Sequence, residues 1–198
     1  MQVDYNNASN LRFKLAGVDT VISTISGDAQ IALIDAAAAV HVRRFVPSEF
    51  GCTPSLRPAD DMLDNGRRAA LQRLIQHETN GMRFSVFTCG IFYERFGPGG
   101  MAASQIGLQS NIGQEGDYIM DFRRMKGQIP YYNTTGQHVY ISMTSARDVA
   151  RFVVTALDFA AWPREFKMRG DRMSVKDLVG TAERLRGESR TFASVITR

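Results

Sequence analysis

The chain contains no lysine between Lys14 and Lys126, and of its 24 basic residues only four are lysines. It has two cysteines in 198 residues, Cys52 and Cys89, too few for a disulfide framework, so a reducing, cytoplasmic setting is the expectation. No stretch approaches the roughly 18 consecutive apolar residues that a bilayer-spanning helix needs, and MQVDYNNASN at the amino end does not read as a secretory signal. Three histidines (His41, His77, His138) and the two cysteines show no metal-ligand spacing, so no metal site is expected. A concentrated run of positive charge is missing too. The net charge of +4 comes from arginines scattered among acids, and the densest cluster, Arg123, Arg124 and Lys126, follows Asp117 and Asp121. Such a pattern is a solvated face, and it argues against a phosphate-tracking nucleic-acid surface.

What is present has the grammar of an α/β protein. Residues 11–15 close a short helical pattern that Gly17 stops. VDTVIST (18–24) is a β-branched run of strand length, too continuous for a half-solvated strand and suited to a parallel strand buried on both faces. Ser26, Gly27 and Asp28 supply helix-start chemistry for an alanine-rich helix over 29–40. A second buried strand is predicted over 44–47, a helix over 60–78 with Leu63, Leu71, Leu74 and Ile75 as its apolar face, a stop at Gly81, and a third strand over 83–88. Strand and helix alternating at this spacing predict βαβ units, hence a Rossmann-like doubly wound parallel sheet in residues 1–96.

From Gly97 the pattern changes. GPGG (97–100) breaks it, and residues 101–130 are polar, glycine-spotted and weakly helical. Short strands are predicted over 130–133 and 138–142, around the turn at 134–136. Ser145 with Asp148 and Ser174 with Asp177 have capping-box spacing, opening helices that run to about residue 157 and to Gly187. Residues 97–198 thus read as a smaller α+β region. Trp162, before Pro163, is expected to anchor a helix end, and residues 188–198 carry no readable signal.

Ligands of open parallel sheets bind beyond the carboxyl ends of the strands. Three such ends stand out: Ser23-Thr24-Ile25-Ser26, Pro47-Ser48-Glu49-Phe50 and Thr88-Cys89-Gly90-Ile91. Each is small or polar and close to glycine, which lets a ligand approach the backbone. PSEFG reads equally as an ordinary turn. Gly97, Gly99 and Ala102 formally match a G-x-G-x-x-A fingerprint, with Asp117 and Asp121 downstream. Pro98 lies inside that turn and FYERF separates it from the preceding strand, so the strand-turn-helix context of a phosphate loop is missing.

VDTVISTISG with the following Q and LIDAA, and then VRRFVPSEFG, resemble the NmrA-like family of atypical short-chain dehydrogenases, in its isoflavone-reductase and phenylcoumaran-benzylic-ether-reductase branch. FYERFGPGG, EGDYIMDFRRMKGQIPYY, TSARDVARFVVTALDF and FKMRGDRMSVKDLV resemble fungal members of that branch, and the likeness runs over nearly all of residues 1–187. It implies an NADP(H) cofactor, with Pro47, Ser48, Glu49 and Phe50 on the nicotinamide side and Ser23, Thr24, Ile25 and Gln30 along the dinucleotide. Thr88, Gly90, Ile91, Phe92 and Tyr93 would lie toward a small aromatic or phenolic substrate.

Two departures qualify that implication. The family opens with a strand, a glycine-rich turn and a helix that hold the pyrophosphate, whereas this chain begins near the end of that region; the expectation is a sheet lacking its first βαβ unit of about 30 residues. The branch also uses a lysine on the helix after SEFG for proton transfer. Arg68 stands at its nearest match, or Arg67 and Ala70 if the register slips. With a pKa above about 12, arginine anchors phosphates or polarises carbonyls but does not trade protons; both arginines equally suit an exposed helix surface. The resulting expectation is an NADPH-dependent reductase relative, weak or inactive alone. Two alternatives stand beside it: a non-enzymatic NAD(P)-sensing regulator with a protein partner, and a fragment of a longer protein.

Overall fold

The structure, a computed structural model, describes residues 3–107, 112–127 and 129–187; the signal-free stretch 188–198 lies outside them. In chain order the elements are α1 (Ala8–Leu15), β1 (Thr20–Ile22), α2 (Asp28–Ala39), β2 (Arg44–Val46), β3 (Phe50–Gly51), α3 (Arg67–His77), β4 (Arg83–Phe84), β5 (Val86–Thr88) and β6 (Ile91–Phe92). There follow β7 (Met120–Asp121), β8 (Lys126–Gly127), β9 (Tyr140–Thr144), α4 (Ala146–Ala156), β10 (Glu165–Lys167), β11 (Asp171–Ser174) and α5 (Val175–Arg186). They form two compact units, one of Met1–Thr88 with Thr155–Lys167, the other of Cys89–Val154 with Met168–Arg198.

The first unit is α/β with parallel sheets. β1, β2 and β4 pair in that order, all parallel, and so do β10, β5 and β3. Val21, Ile34, Ala37, Phe45, Leu74 and Phe84 belong to its core. The alanines of α2 let its backbone come close to the sheet, and Ala36 and Ala37 are 3% and 0% exposed. The predicted strand over 83–88 is two strands, because Ser85 interrupts it. Its N–H still bonds Phe45 O at 3.2 Å, but its hydroxyl donates to Pro163 O, and from Val86 onward the chain pairs with β3 and β10 instead of β2.

The helix predicted over 60–78 is shorter at its front. Asn65 and Gly66 have φ of 45° and 78°, a left-handed pair that cannot continue a right-handed helix, so α3 starts at Arg67. Leu63 thus falls outside the helix and is 39% exposed; within it Ile75 is 52% exposed, and Ala70 and Leu74 supply the buried face. Trp162 does anchor a helix end: its Nε1 donates to Ala156 O at 2.7 Å, and Arg44 lies over its ring at 4.5 Å.

In the second unit β11, β9 and β6 form a mixed sheet, antiparallel between β11 and β9 and parallel between β9 and β6, while β7 and β8 make a two-stranded ribbon. Met120, Met143, Val175, Leu178 and Val179 are in its core. Both serine caps form: Ser145 and Ser174 each accept the N–H three residues on, at 3.0 Å, and Gly187 takes φ 65° at the end of α5. The strand predicted at 130–133 reduces to one bridge, Tyr132 to His138. Among the described residues no helix is long and apolar enough to cross a membrane.

Candidate functional site

The exits of β1 and β2 in the first unit are built by short-range locks. Ser23 extends the ladder past β1, its N–H bonding Val46 O at 2.8 Å, and is 2% exposed. Thr24 is exposed and Ile25 half-buried. The next turn is gripped from across the unit. Gly27 N–H donates to Asn65 O at 3.2 Å, Asn65 Nδ2 donates to the Ser26 hydroxyl at 2.7 Å, and a Cβ on Gly66 would sit 3.0 Å from Gly27 Cα. Sequence reasoning missed Asn65 and Gly66; the Asn-Gly dipeptide just before a helix was the available signal.

At the exit of β2, Pro47 has no N–H to extend the ladder and is fully buried. The next N–H, that of Ser48, donates to Gln30 Oε1 at 2.7 Å. Gln30 sits in the first turn of α2, is 0% exposed, and its Nε2 has no hydrogen-bond partner among the described residues. Glu49 is buried and its Oε2 pairs with Arg57. The eight residues expected at the cofactor therefore divide. Ser23, Gln30, Pro47 and Glu49 are interior and fix the backbone; Thr24, Ile25, Ser48 and Phe50 offer accessible atoms. Phe50 packs on Phe87 with ring centroids 6.3 Å apart.

Of the residues matched to a catalytic lysine, Arg67 is half-buried and its Nη1 lies 4.0 Å from where a Cβ on Gly51 would be, beside β3. Arg68 is exposed and its Nη2 donates to Pro58 O at 2.6 Å. Ala70, 1% exposed, is a core residue. The structure thus brings Arg67, rather than Arg68, next to a strand end. Thr88 at the end of β5 donates to Glu165. Burial pushes the Glu165 carboxyl up, but hydrogen bonds from Thr88, Thr53 and Lys167 outweigh it and hold the group below its ordinary value.

In the second unit, Gly90 has φ 74° and a Cβ there would meet Ser142 O at 2.2 Å, so only glycine fits. Ile91 and Phe92 are half-buried in β6. Tyr93 donates its hydroxyl to Asp171 at 2.5 Å, and burial first, then that bond and the neighbouring charge, push its phenol up to about 12. Tyr93 therefore stays protonated near neutral pH and is no general base there. Both carboxylate oxygens of Glu94 accept the Ala146 N–H, at 3.0 and 3.1 Å, which caps α4. Cys89 is fully buried, as a small packing residue is.

The glycine fingerprint at 97–102 is not a phosphate loop. It runs from the end of one short 3-10 turn, Tyr93–Phe96, into another, Met101–Ser104. The Gly99 N–H already donates to the Glu115 carboxylate at 3.1 Å, and a Cβ on Gly100 would come within 2.7 Å of the backbone at 113–115. These glycines allow one loop to lie against another.

No family model matches the chain. Oxidoreductase BOA1 of Botryotinia fuckeliana is 27% identical over 206 residues, covering 95% of this chain and 61% of that protein. Oxidoreductase aprR of Aspergillus flavus is 37% identical over 84 residues, 39% of this chain and 28% of that protein. Among solved structures, the ternary complex of leucoanthocyanidin reductase from Vitis vinifera superposes with a TM-score of 0.66 at 20% identity, over 96% of this chain and 62% of that one. AtPrR2 with NADP+ and (+)pinoresinol gives 0.68 at 18% identity, over 97% and 60%. The chain spans about six tenths of the length of BOA1 and of these two structures. At these identities the likeness establishes the fold: a mixed α/β chain with parallel sheets, matching the Rossmann-like fold of NAD(P)-binding reductases.

Proposed function

We propose that this chain is an NmrA-like, isoflavone-reductase-like protein that binds NADP(H) at the exits of β1 and β2 and belongs to an oxidoreductase acting on small aromatic or phenolic substrates. The observation that carries the reading is the strand exit, where Gln30 holds the Ser48 amide at 2.7 Å and leaves Ser48 and Phe50 partly accessible. The residues present fit part of the cofactor. Phe50 offers a flat apolar face and Ser48 a hydroxyl for the nicotinamide, Thr24 and Ile25 an edge for the dinucleotide, and Arg67 a cation for a phosphate. No pyrophosphate cradle accompanies them among the described residues, since the Gly27 N–H is taken by Asn65 O and Asp28 opens the helix behind it. Weak binding follows.

The cofactor, when bound, supplies the hydride. The chain supplies orientation, with Thr88, Gly90, Ile91, Phe92 and Tyr93 proposed toward the substrate. It supplies no lysine for proton transfer on the helix after SEFG, since arginines, which anchor and polarise rather than trade protons, stand at the matching positions. Turnover by these 198 residues is accordingly weak or absent. The same arginines favour a second reading, an NAD(P)-sensing regulator that contacts a protein partner and catalyses nothing. Fluorescence titration with NADPH, followed by NADPH oxidation assays over a panel of phenolic ethers and quinones, tests both: saturable binding supports the cofactor site, measurable turnover then favours the reductase over the regulator, and no binding by a folded chain overturns both.

A further inference from the structure

The loop between β3 and α3, residues 52–66, contains one short 3-10 turn, Pro54–Leu56, and its apolar side chains do not anchor it: Leu56, Met62 and Leu63 are 78%, 95% and 39% exposed. Besides the bonds of Asn65 to the turn at 26–27, what anchors it is a cation. Arg57 has a side chain only 4% exposed, and it meets three carboxylates. Its Nη2 pairs with Glu49 Oε2, its Nη1 lies 3.2 Å from Asp64 Oδ1, and its Nε lies 3.7 Å from Asp61 Oδ2. Glu49 belongs to the exit of β2 and is itself 1% exposed at the side chain. Asp64 accepts the Arg68 N–H at 3.2 Å and so caps α3. A single guanidinium therefore joins the strand exit that carries Ser48 and Phe50 to the helix start that carries Arg67.

We infer that Arg57 is a positioning residue of the proposed cofactor site, holding the β2 exit and the first turn of α3 in fixed register without touching the ligand. The inference rests on the proposed function for its consequence and on the ion-pair geometry for its substance. Removing one partner of a buried pair strands the other charge, here Glu49, and leaves Asp61 and Asp64 unneutralised. A lysine in place of Arg57 keeps the charge but not the planar fork that spreads it over three carboxylates.

The test compares Arg57→Met, Arg57→Lys and the neutral pair Arg57→Met with Glu49→Gln, each in the full chain, by amide hydrogen exchange and NADPH titration. Arg57→Met is expected to speed exchange about tenfold or more in residues 52–70 while β1 and α2 keep wild-type protection, and to weaken NADPH by a similar factor. Arg57→Lys should fall between, and the neutral pair should recover much of the protection because no charge is left stranded. If Arg57→Met fails to fold, Arg57→Lys carries the comparison. Unchanged exchange in 52–70, or loss spread evenly over β1, β2 and α2, would overturn the inference. Should the wild-type chain not bind NADPH, the proposed function fails, and the exchange pattern alone still decides whether Arg57 sets this register.

Discussion

Gln30 Oε1 accepts the N–H of Ser48 across 2.7 Å, joining the first turn of α2 to the exit of β2, 18 residues away in sequence. Pro47 gives the contact its role, because the strand has lost its own next donor there and the part-buried Ser48 amide finds its acceptor in Gln30.

Replacing Gln30 with alanine leaves that amide without its acceptor and removes a fully buried side chain. Chemical denaturation is expected to show a loss of about 1–3 kcal/mol, with NADPH affinity falling as the strand exit loosens. A Gln30→Ala chain as stable as wild type would show that water replaces the carboxamide at no cost.

Gly90→Ala should be among the most damaging single-methyl additions in the chain, costing about 3 kcal/mol or more, because φ is 74° and the new Cβ would meet Ser142 O at 2.2 Å. Gly81→Ala is the control. Its φ is 89° but nothing lies within 4 Å, so backbone strain alone should cost about 1 kcal/mol. Equal losses at the two positions would mean that β6 can move away from β9 freely.

The alkaline limb of stability carries a mark of Tyr93. Its phenol is raised from an ordinary value of 10.0 to about 12, so the folded state favours the protonated form. The associated stability is complete below about pH 10, and is lost as pH rises from there through about 12. Tyr93→Phe should remove that part of the pH dependence while leaving the curve below pH 9 parallel to wild type. A phenol titrating at its ordinary value in absorbance measurements, by difference from Tyr93→Phe, would contradict the burial and the Asp171 bond.

Arg67 and Arg68 are adjacent and should behave differently. Arg67→Ala is expected to weaken NADPH about tenfold, whereas Arg68→Ala, whose guanidinium is occupied by Pro58 O, should change it less than about twofold. The reverse ranking would move the proposed phosphate contact to the exposed side of α3.

Much of this was legible in the residues, for identifiable reasons. VDTVIST and RFV hold β-branched or aromatic residues of strand length, and the parallel strands β1 and β2 lie within them, but β1 is not buried on both faces as its continuity predicts: among the described residues it is an outer strand of its sheet, and Ile22 is 40% exposed. The serine caps at 145 and 174 and the stop at Gly187 are local chemistry and appear where the spacing puts them. Illegible elements depend on distant partners. β3, β10 and β11 are two to four residues long, and pairing rather than composition makes them strands. The split at Ser85 depends on Pro163, 78 residues onward, and Leu185, at helical spacing from the buried Leu178 and Ala182, is nevertheless 83% exposed. At the site, PSEFG announced a strand exit, but Arg57 has no periodic or motif context in the sequence, and only the fold sets it beside Glu49.

The most direct test is fluorescence titration of the folded 198-residue chain with NADPH. Binding at the exits of β1 and β2 predicts a saturable change with a dissociation constant from micromolar to about 1 mM, weakened by Gln30→Ala and Arg67→Ala but not by Arg68→Ala. A chain that is folded by circular dichroism and shows no saturable change up to several times that concentration would contradict it.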